Sequence, residues 1–447
     1  MIRIKRIIFS RAQLIALSFL AVILSGTLLL MLPISSKSGE FTGFLEAVFT
    51  ATSATCVTGL IVVDTFTHWS LFGQIVILIM IQIGGLGFVT FGVFGMSVLR
   101  KKIGLREREL VHESLNSMYL GGSVELVKNV VFGTFLIEGI GALILSVRFI
   151  PELGVFRGIY YGIFHSVSAF CNAGFDLMGF KGQYSSLYSY SDDIVVNVVI
   201  ISLIVIGGLG FLVWEDVRKN KLKFSKYMLH TKIVITFTAI LLIGGTVFFY
   251  FSESGGALAN MSFKEKVLSS LFSAVTPRTA GFNTIDTAAL SESGKLMTVI
   301  LMFIGGSPGS TAGGIKTTSF AAILLFVISY IKKEKECRVF KRSFENDIVK
   351  KASTVLFVNL FLALLGMMIL TLINNVSAID AAVETFSAIS TVGMSTGITR
   401  DINAFSKVIL IFLMFCGRIG SLSFALSFSE RKKVPDIKYS KEDILIG

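Results

Sequence analysis

Four short segments of the chain end in a glycine: TSATCVTG at Gly59, VSAFCNAG at Gly174, AVTPRTAG at Gly281 and FSAISTVG at Gly393. In three of them Ser and Ala stand six and five residues before that glycine; the segment ending at Gly281 keeps Thr-Ala-Gly but loses the register. The chemistry open to such segments is coordination by the main chain. Turning successive carbonyls to one side of a strand requires positive φ, which glycine visits without steric cost. A ring of carbonyls can then replace an ion's hydration shell. The candidate ligating residues are Val57, Thr58 and Gly59, then Asn172, Ala173 and Gly174, then Thr279, Ala280 and Gly281, and finally Thr391, Val392 and Gly393.

Other chemistries find no support in the spacing. Cys56, Cys171, Cys337 and Cys416 are scattered, as are the four His, so neither a metal site, which needs convergent ligands, nor a disulfide is expected. No Ser/His/Asp or Walker pattern appears, and the glycine clusters lie inside apolar runs rather than between a strand and a helix. We expect no enzyme, no cofactor in this chain and no bound nucleotide.

The elements that must position these segments are membrane helices. Of the 447 residues, 53% are hydrophobic and 16% charged, against about 25% charged in soluble proteins. Lys and Arg number 41, and 28 of them fall in the blocks 1–11, 100–113, 215–232, 332–351 and 429–447. Basic blocks stay in the cytoplasm, which puts both termini there and gives a multi-pass membrane protein. The blocks serve as topology signals and contacts for anionic lipid. Nucleic acid is excluded as a partner because the charge is split rather than gathered in one stripe.

Between the blocks a unit repeats. The four glycines are 115, 107 and 112 residues apart, close to a quarter of the chain. Each unit has a first apolar helix (near 12–32, 126–150, 229–251 and 353–373), the glycine segment, and a second apolar helix (near 71–99, 193–214, 296–329 and 408–429). The second helices carry IGGLGF twice, then IGGSPG, then CGRIG. The stretch before each glycine segment, such as 42–54, is helical in period but reaches only about halfway across a bilayer. It reads as a re-entrant half-helix, tolerated only where protein or water surrounds it.

We therefore expect an all-α polytopic fold of eight spans and four re-entrant half-helices. Its four parallel repeats (1–113, 114–225, 226–345 and 346–430, with a cytoplasmic tail 431–447) surround one pore with pseudo-fourfold symmetry. The half-helix C-termini, each equivalent to about half a negative charge, would favour a cation. Glycines in membrane helices also permit close packing, but four copies at near-equal spacing favour a filter. Thr391, Val392 and Gly393 share Thr-Val-Gly with the TVGYG filter of potassium channels.

In these segments, in IGGLGF, in GGSPGSTAGGIKTTSF and in GRIG, the chain resembles over its full length the membrane subunits of the Ktr branch of the Trk, Ktr and HKT potassium transporters. The resemblance implies potassium uptake, with the first filter glycine, Gly59, completing a set of four and so favouring potassium over sodium. It also implies a homodimer and a cytosolic ring of RCK-type, nucleotide-binding subunits, for which Lys332 to Arg342 offer a docking surface. Potassium is the cargo. Nothing in the spacing separates a gated pore from a sodium-coupled carrier with an occluded midplane site.

The run Gly305, Gly306, Ser307, Pro308, Gly309, Ser310, Thr311, Ala312, Gly313 and Gly314 must break the third inner helix, since Gly costs about 1 and Pro about 3 kcal/mol relative to Ala. The resemblance implies an intramembrane loop there that obstructs the pore as a gate. Arg418, a charge inside the last apolar helix, is expected to hydrogen-bond that loop and hold it shut; a salt bridge to Glu138 is the alternative. His165 reads as a packed, hydrogen-bonded side chain. Glu46 and Glu384 either draw cations to the mouth or act in capping and packing.

Overall fold

The computed structural model describes residues 10–99, 103–114, 123–221, 223–334 and 336–420. The tail 431–447, most of the first basic block and the end of the last inner helix lie outside the described residues. The first unit holds α1 (Arg11–Met31), α2 (Phe44–Thr55), the single turn α3 (Thr65–His68), α4 (Leu71–Leu86), α5 (Phe88–Val98) and α6 (Leu105–Ser114). The second holds α7 (Ser123–Leu153), α8 (Val155–Phe170), α9 (Ile194–Leu209) and α10 (Phe211–Asn220). The third has α11 (Leu229–Glu253), α12 (Phe263–Val275), α13 (Glu292–Phe303), α14 (Thr317–Ile331) and an antiparallel hairpin of β1 (Cys337–Val339) and β2 (Arg342–Phe344). The fourth has α15 (Asn346–Asn374), α16 (Ala378–Ile389) and α17 (Ala404–Ile419). The hairpin is a small departure from an all-helical chain.

Helices α1, α7, α11 and α15 are each long and apolar enough to cross a bilayer. Their outward rows, among them Leu28, Phe132, Val147, Phe251 and Leu372, are exposed. So many outward apolar side chains need hydrocarbon as solvent. Helices α2, α8, α12 and α16, of 12, 16, 13 and 12 residues, are about 18 to 24 Å long and run inward to the glycine segments. One continuous core draws Phe49, Phe164, Phe272 and Phe386 from these four half-helices.

The inner helices α4, α9, α13 and α17 all begin at a capping side chain. Ser70, Asp193, Ser291 and Asn403 accept from the backbone N–H three residues on, satisfying a donor that the first turn leaves free. The sequence pattern suggested unbroken second helices over 71–99 and 193–214; the structure breaks both. The axis turns by 91° between α4 and α5 and by 95° between α9 and α10. The cause is the last glycine of each IGGLGF, Gly87 at φ 83° and Gly210 at φ 97°, a conformation no helix can continue through. At Gly210 space forbids a side chain as well, since an added Cβ would lie 2.6 Å from the Pro308 carbonyl oxygen.

Candidate functional site

All four glycine segments share two positions of positive φ. Gly59, Gly174, Gly281 and Gly393 have φ of 94°, 68°, 78° and 94°. Two residues earlier, Val57, Asn172, Thr279 and Thr391 also have positive φ, at 56°, 59°, 70° and 52°. The left-handed turn thus occurs twice per segment, once at a residue with a Cβ, a conformation that is rare and strained.

The Ser-Ala register has a physical reason. Thr58, Ala173 and Val392 each donate a backbone N–H to the carbonyl of Ser53, Ser168 and Ser387, all at 2.8 Å. Gly59 N and Gly393 N donate to the hydroxyls of Ser53 and Ser387 at 3.0 Å. In the first and fourth segments all three N–H groups of the turn point back into the half-helix, with Val57 N and Thr391 N donating to the Ala54 and Ala388 carbonyls, which turns the carbonyls of Thr58 and Val392 outward. In the third segment Ser273 and Ala274 fall two residues too early, and Thr276 replaces the serine. It accepts the Ala280 N–H at 2.9 Å through its carbonyl, and its hydroxyl donates to the Phe282 carbonyl at 2.5 Å.

Carbonyls of the four segments close a ring. A Cβ added at Gly59 would lie 2.5 Å from the Ala173 oxygen, one at Gly174 2.7 Å from the Ala280 oxygen, and one at Gly281 2.6 Å from the Val392 oxygen. One at Gly393 would overlap the Thr58 oxygen, which returns the circuit to the first segment. Each glycine is therefore needed twice, for its φ and for the carbonyl of the next repeat. Segments two and three are tied further: the Asn172 amide accepts from the Thr279 hydroxyl at 3.3 Å and donates to the Ala169 and Ile204 carbonyls. On one side of the ring a cavity of about 150 Å³ touches all four glycines and is lined also by Asp176, Asp286 and Arg400. Arg400 lies over the Tyr184 ring at 3.6 Å.

On the other side lies the segment 305–314. Ile304 and Ile315 pair at its base, and Gly309 and Gly314 take φ of 62° and 66°. It is bound to α9 and its extension: Ser307 N donates to the Gly208 carbonyl at 3.0 Å, Thr311 N to that of Gly207 at 3.3 Å, and Phe211 N to that of Gly309 at 2.7 Å. The Thr311 hydroxyl donates to the last carbonyl of α8, Phe170, at 3.0 Å. An added Cβ at Gly313 would overlap the Thr391 hydroxyl, so the segment sits directly beneath the fourth ring member.

Arg418 donates from Nη1 to the Thr311 carbonyl at 2.5 Å and from Nη2 to the carbonyls of Gly84 and Gly85 at 2.6 and 3.0 Å. Its guanidinium thereby joins the last inner helix, the first inner helix and the broken segment. Glu138 pairs elsewhere, accepting from Gln82 Nε2 at 3.1 Å. Lys316 donates to the Ala312 carbonyl at 2.7 Å, within the same segment.

Two further side chains are structural. His165 donates from Nδ1 to the Tyr161 carbonyl at 2.7 Å and accepts the Leu177 N–H at Nε2 at 3.2 Å. Glu384 is fully buried and accepts from the Ser395 hydroxyl at 2.6 Å, the Thr396 N–H at 3.0 Å and the Thr399 hydroxyl. It braces the strand that returns from Gly393. Glu384→Ala leaves those donors without their acceptor and is expected to cost about 3 kcal/mol, read as a lower Tm in detergent; an unchanged Tm would contradict this role. Glu46 lies in the first turn of α2, where a carboxylate suits the helix dipole.

One buried cation escaped the sequence reading. Arg278 is 7% exposed and stands inside the third glycine segment, immediately before Thr279; its signal was a charge within AVTPRTAG, where the other three segments carry none.

The long apolar helices and the four glycine segments, each set against a carbonyl of the next, define a helical membrane protein built from repeated units of helix, half-helix and inner helix. The chain belongs to the TrkH family of cation transport proteins, whose model matches residues 8–440; this is a transport family and not a family of enzymes. It is 43% identical over 99% of its length to "Ktr system potassium uptake protein B" of Bacillus subtilis (strain 168), covering 98% of that protein. To "Potassium/sodium uptake protein NtpJ" of Enterococcus hirae it is 40% identical, with 98% and 97% of the two chains covered. The crystal structure of the potassium transporter TrkH from Vibrio parahaemolyticus shares the fold with a TM-score of 0.73 at 17% identity, over 96% of this chain and 87% of that one.

Proposed function

We propose that the protein takes up potassium through the glycine ring, with segment 305–314 as its gate. The observation that carries this reading is the closed circuit in which each ring glycine abuts a carbonyl of the next repeat. Such a circuit offers oxygens to an ion from four sides, and the inward C-termini of α2, α8, α12 and α16 add negative potential. The buried hydroxyls of Thr58 and Thr391 have no partner among the described residues and supply further ligands. The relatives named for potassium uptake point to the same cargo. The cavity over the ring is then the outer mouth, and both termini are cytoplasmic in a bacterial plasma membrane. In this reading the four repeats span 1–113, 114–225, 226–345 and 346–430.

In this reading the gate is both steric and electrostatic. Arg418 and Lys316 hold carbonyls of the segment and place two cations below the ring, in the way of a passing cation. Arg418→Gln removes the fork that spans Thr311, Gly84 and Gly85 and is expected to raise resting rubidium flux in liposomes about tenfold, with unchanged preference over sodium. Folded protein with wild-type flux would remove the role.

A sodium-coupled cycle is the second reading, favoured by the potassium/sodium relative at 40% identity. Rescue of an uptake-deficient bacterium on low potassium tests the first. Liposome flux at fixed potential, with and without sodium, separates the two, since a pore conducts potassium when sodium is absent.

The name "Ktr system" carried by relatives supports assembly with further subunits, in our reading a homodimer on a cytosolic RCK-type ring that binds nucleotide. Lys332, Lys333, Arg338, Lys341 and Arg342 are exposed on and beside the β hairpin and form a basic docking surface. Copurification with a soluble partner, lost when these charges are reversed, is the expected result.

A further inference from the structure

Burying a guanidinium costs several kcal/mol unless it is paired, and an ionisable side chain within a membrane protein's interior marks function by default. Arg278 is such a group. None of the ion pairs among the described residues includes it, and its Nε has no hydrogen-bond partner. Among the described residues its one side-chain hydrogen bond runs from Nη2 to the Thr317 hydroxyl at 3.3 Å. That hydroxyl donates in turn to the Gly305 carbonyl at 3.0 Å, while Thr317 N donates to the Gly306 carbonyl at 3.0 Å. Thr317 opens α14, so it closes the base of the gate segment from the far side, and Gly305 and Gly306 are the segment's first residues. At its other end Arg278 is covalently joined to Thr279, the strained residue that starts the third ring member.

We infer that Arg278 is a positioning residue that couples the ring to the gate: through Thr317 it holds the base of segment 305–314 against the third filter strand, as Arg418 holds its middle at Thr311. This rests on the reading of that segment as a gate. The link is a relay of two hydrogen bonds, so removing either donor weakens the hold on the base, which then rests on the Thr317 N–H to Gly306 bond, and shifts the segment toward its open arrangement. A merely structural arginine would instead lower flux and stability whatever the state of the segment.

The test uses the full chain, purified and reconstituted in liposomes, with rubidium uptake as the readout. The variants are Arg278→Gln, Thr317→Val, their double, and each single change in a chain lacking residues 307–313. Both single variants are expected to raise uptake about fivefold to tenfold, the double no more than the larger single, and neither to add anything once the segment is deleted. Thr317→Val leaves the ring untouched and nearly preserves volume, so it carries the test if Arg278→Gln does not fold. Wild-type uptake in monodisperse Thr317→Val, additive effects in the double, or effects that persist without the segment would each overturn the relay while the gate stood. A deletion that fails to raise uptake would instead overturn the gate reading, and the relay with it.

Discussion

Deleting Ser307 to Gly313 is expected to raise cation flux by between about tenfold and about a hundredfold, with the ring's preference among cations retained. The segment is held in place by bonds that deletion removes together: Arg418 to Thr311, Thr311 to Gly207 and Phe170, and Ser307 to Gly208. A hydrogen bond to a charged group contributes about 1.5–3 kcal/mol, and each 1.4 kcal/mol is a factor of ten in the ratio of closed to open forms. The remaining Gly305, Gly306 and Gly314 still permit a turn between α13 and α14. Rubidium uptake into liposomes by monodisperse protein checks this. Equal or lower uptake would show that the segment is a static kink.

The second large effect concerns the ring. Gly393→Ala and Gly59→Ser are expected to reduce discrimination between potassium and sodium at least about tenfold. A side chain at Gly393 overlaps the Thr58 oxygen, and one at Gly59 comes within 2.5 Å of the Ala173 oxygen, so the neighbouring carbonyl must move off its position. Both residues sit at φ 94°, where a side chain adds about 1–2 kcal/mol of strain. Gly139→Ala is the matched control, because nothing lies within 4 Å of its added Cβ, and it is expected to leave selectivity unchanged. Competitive uptake of rubidium against sodium measures all three. Undiminished selectivity at Gly393 would exclude that strand from the filter.

Much of this site was legible because local spacing encodes backbone geometry. The glycines at 59, 174, 281 and 393 announced a turn that requires positive φ, and the half-length helices before them announced re-entry. GGSPGSTAGG could not continue a helix, so the break between α13 and α14 was visible as composition. Arg418 stood out as a charge where hydrocarbon would be its only solvent. Gly87 and Gly210 were equally visible but misread. Within an apolar run a lone glycine costs a helix only about 1 kcal/mol, and nothing local says whether its φ turns positive.

What the sequence determined by itself is the set of units: four repeats, their order, their apolar faces and the residue types at each turn. Those follow from short-range sterics and from hydrophobicity, which act within a few residues. The tertiary structure decided the partners. It chose Gly84, Gly85 and Thr311 for Arg418, Thr317 for Arg278, and for each ring glycine the carbonyl of the following repeat. These contacts join residues about forty to more than three hundred positions apart, and only the packing of whole helices around one axis brings them within hydrogen-bonding distance.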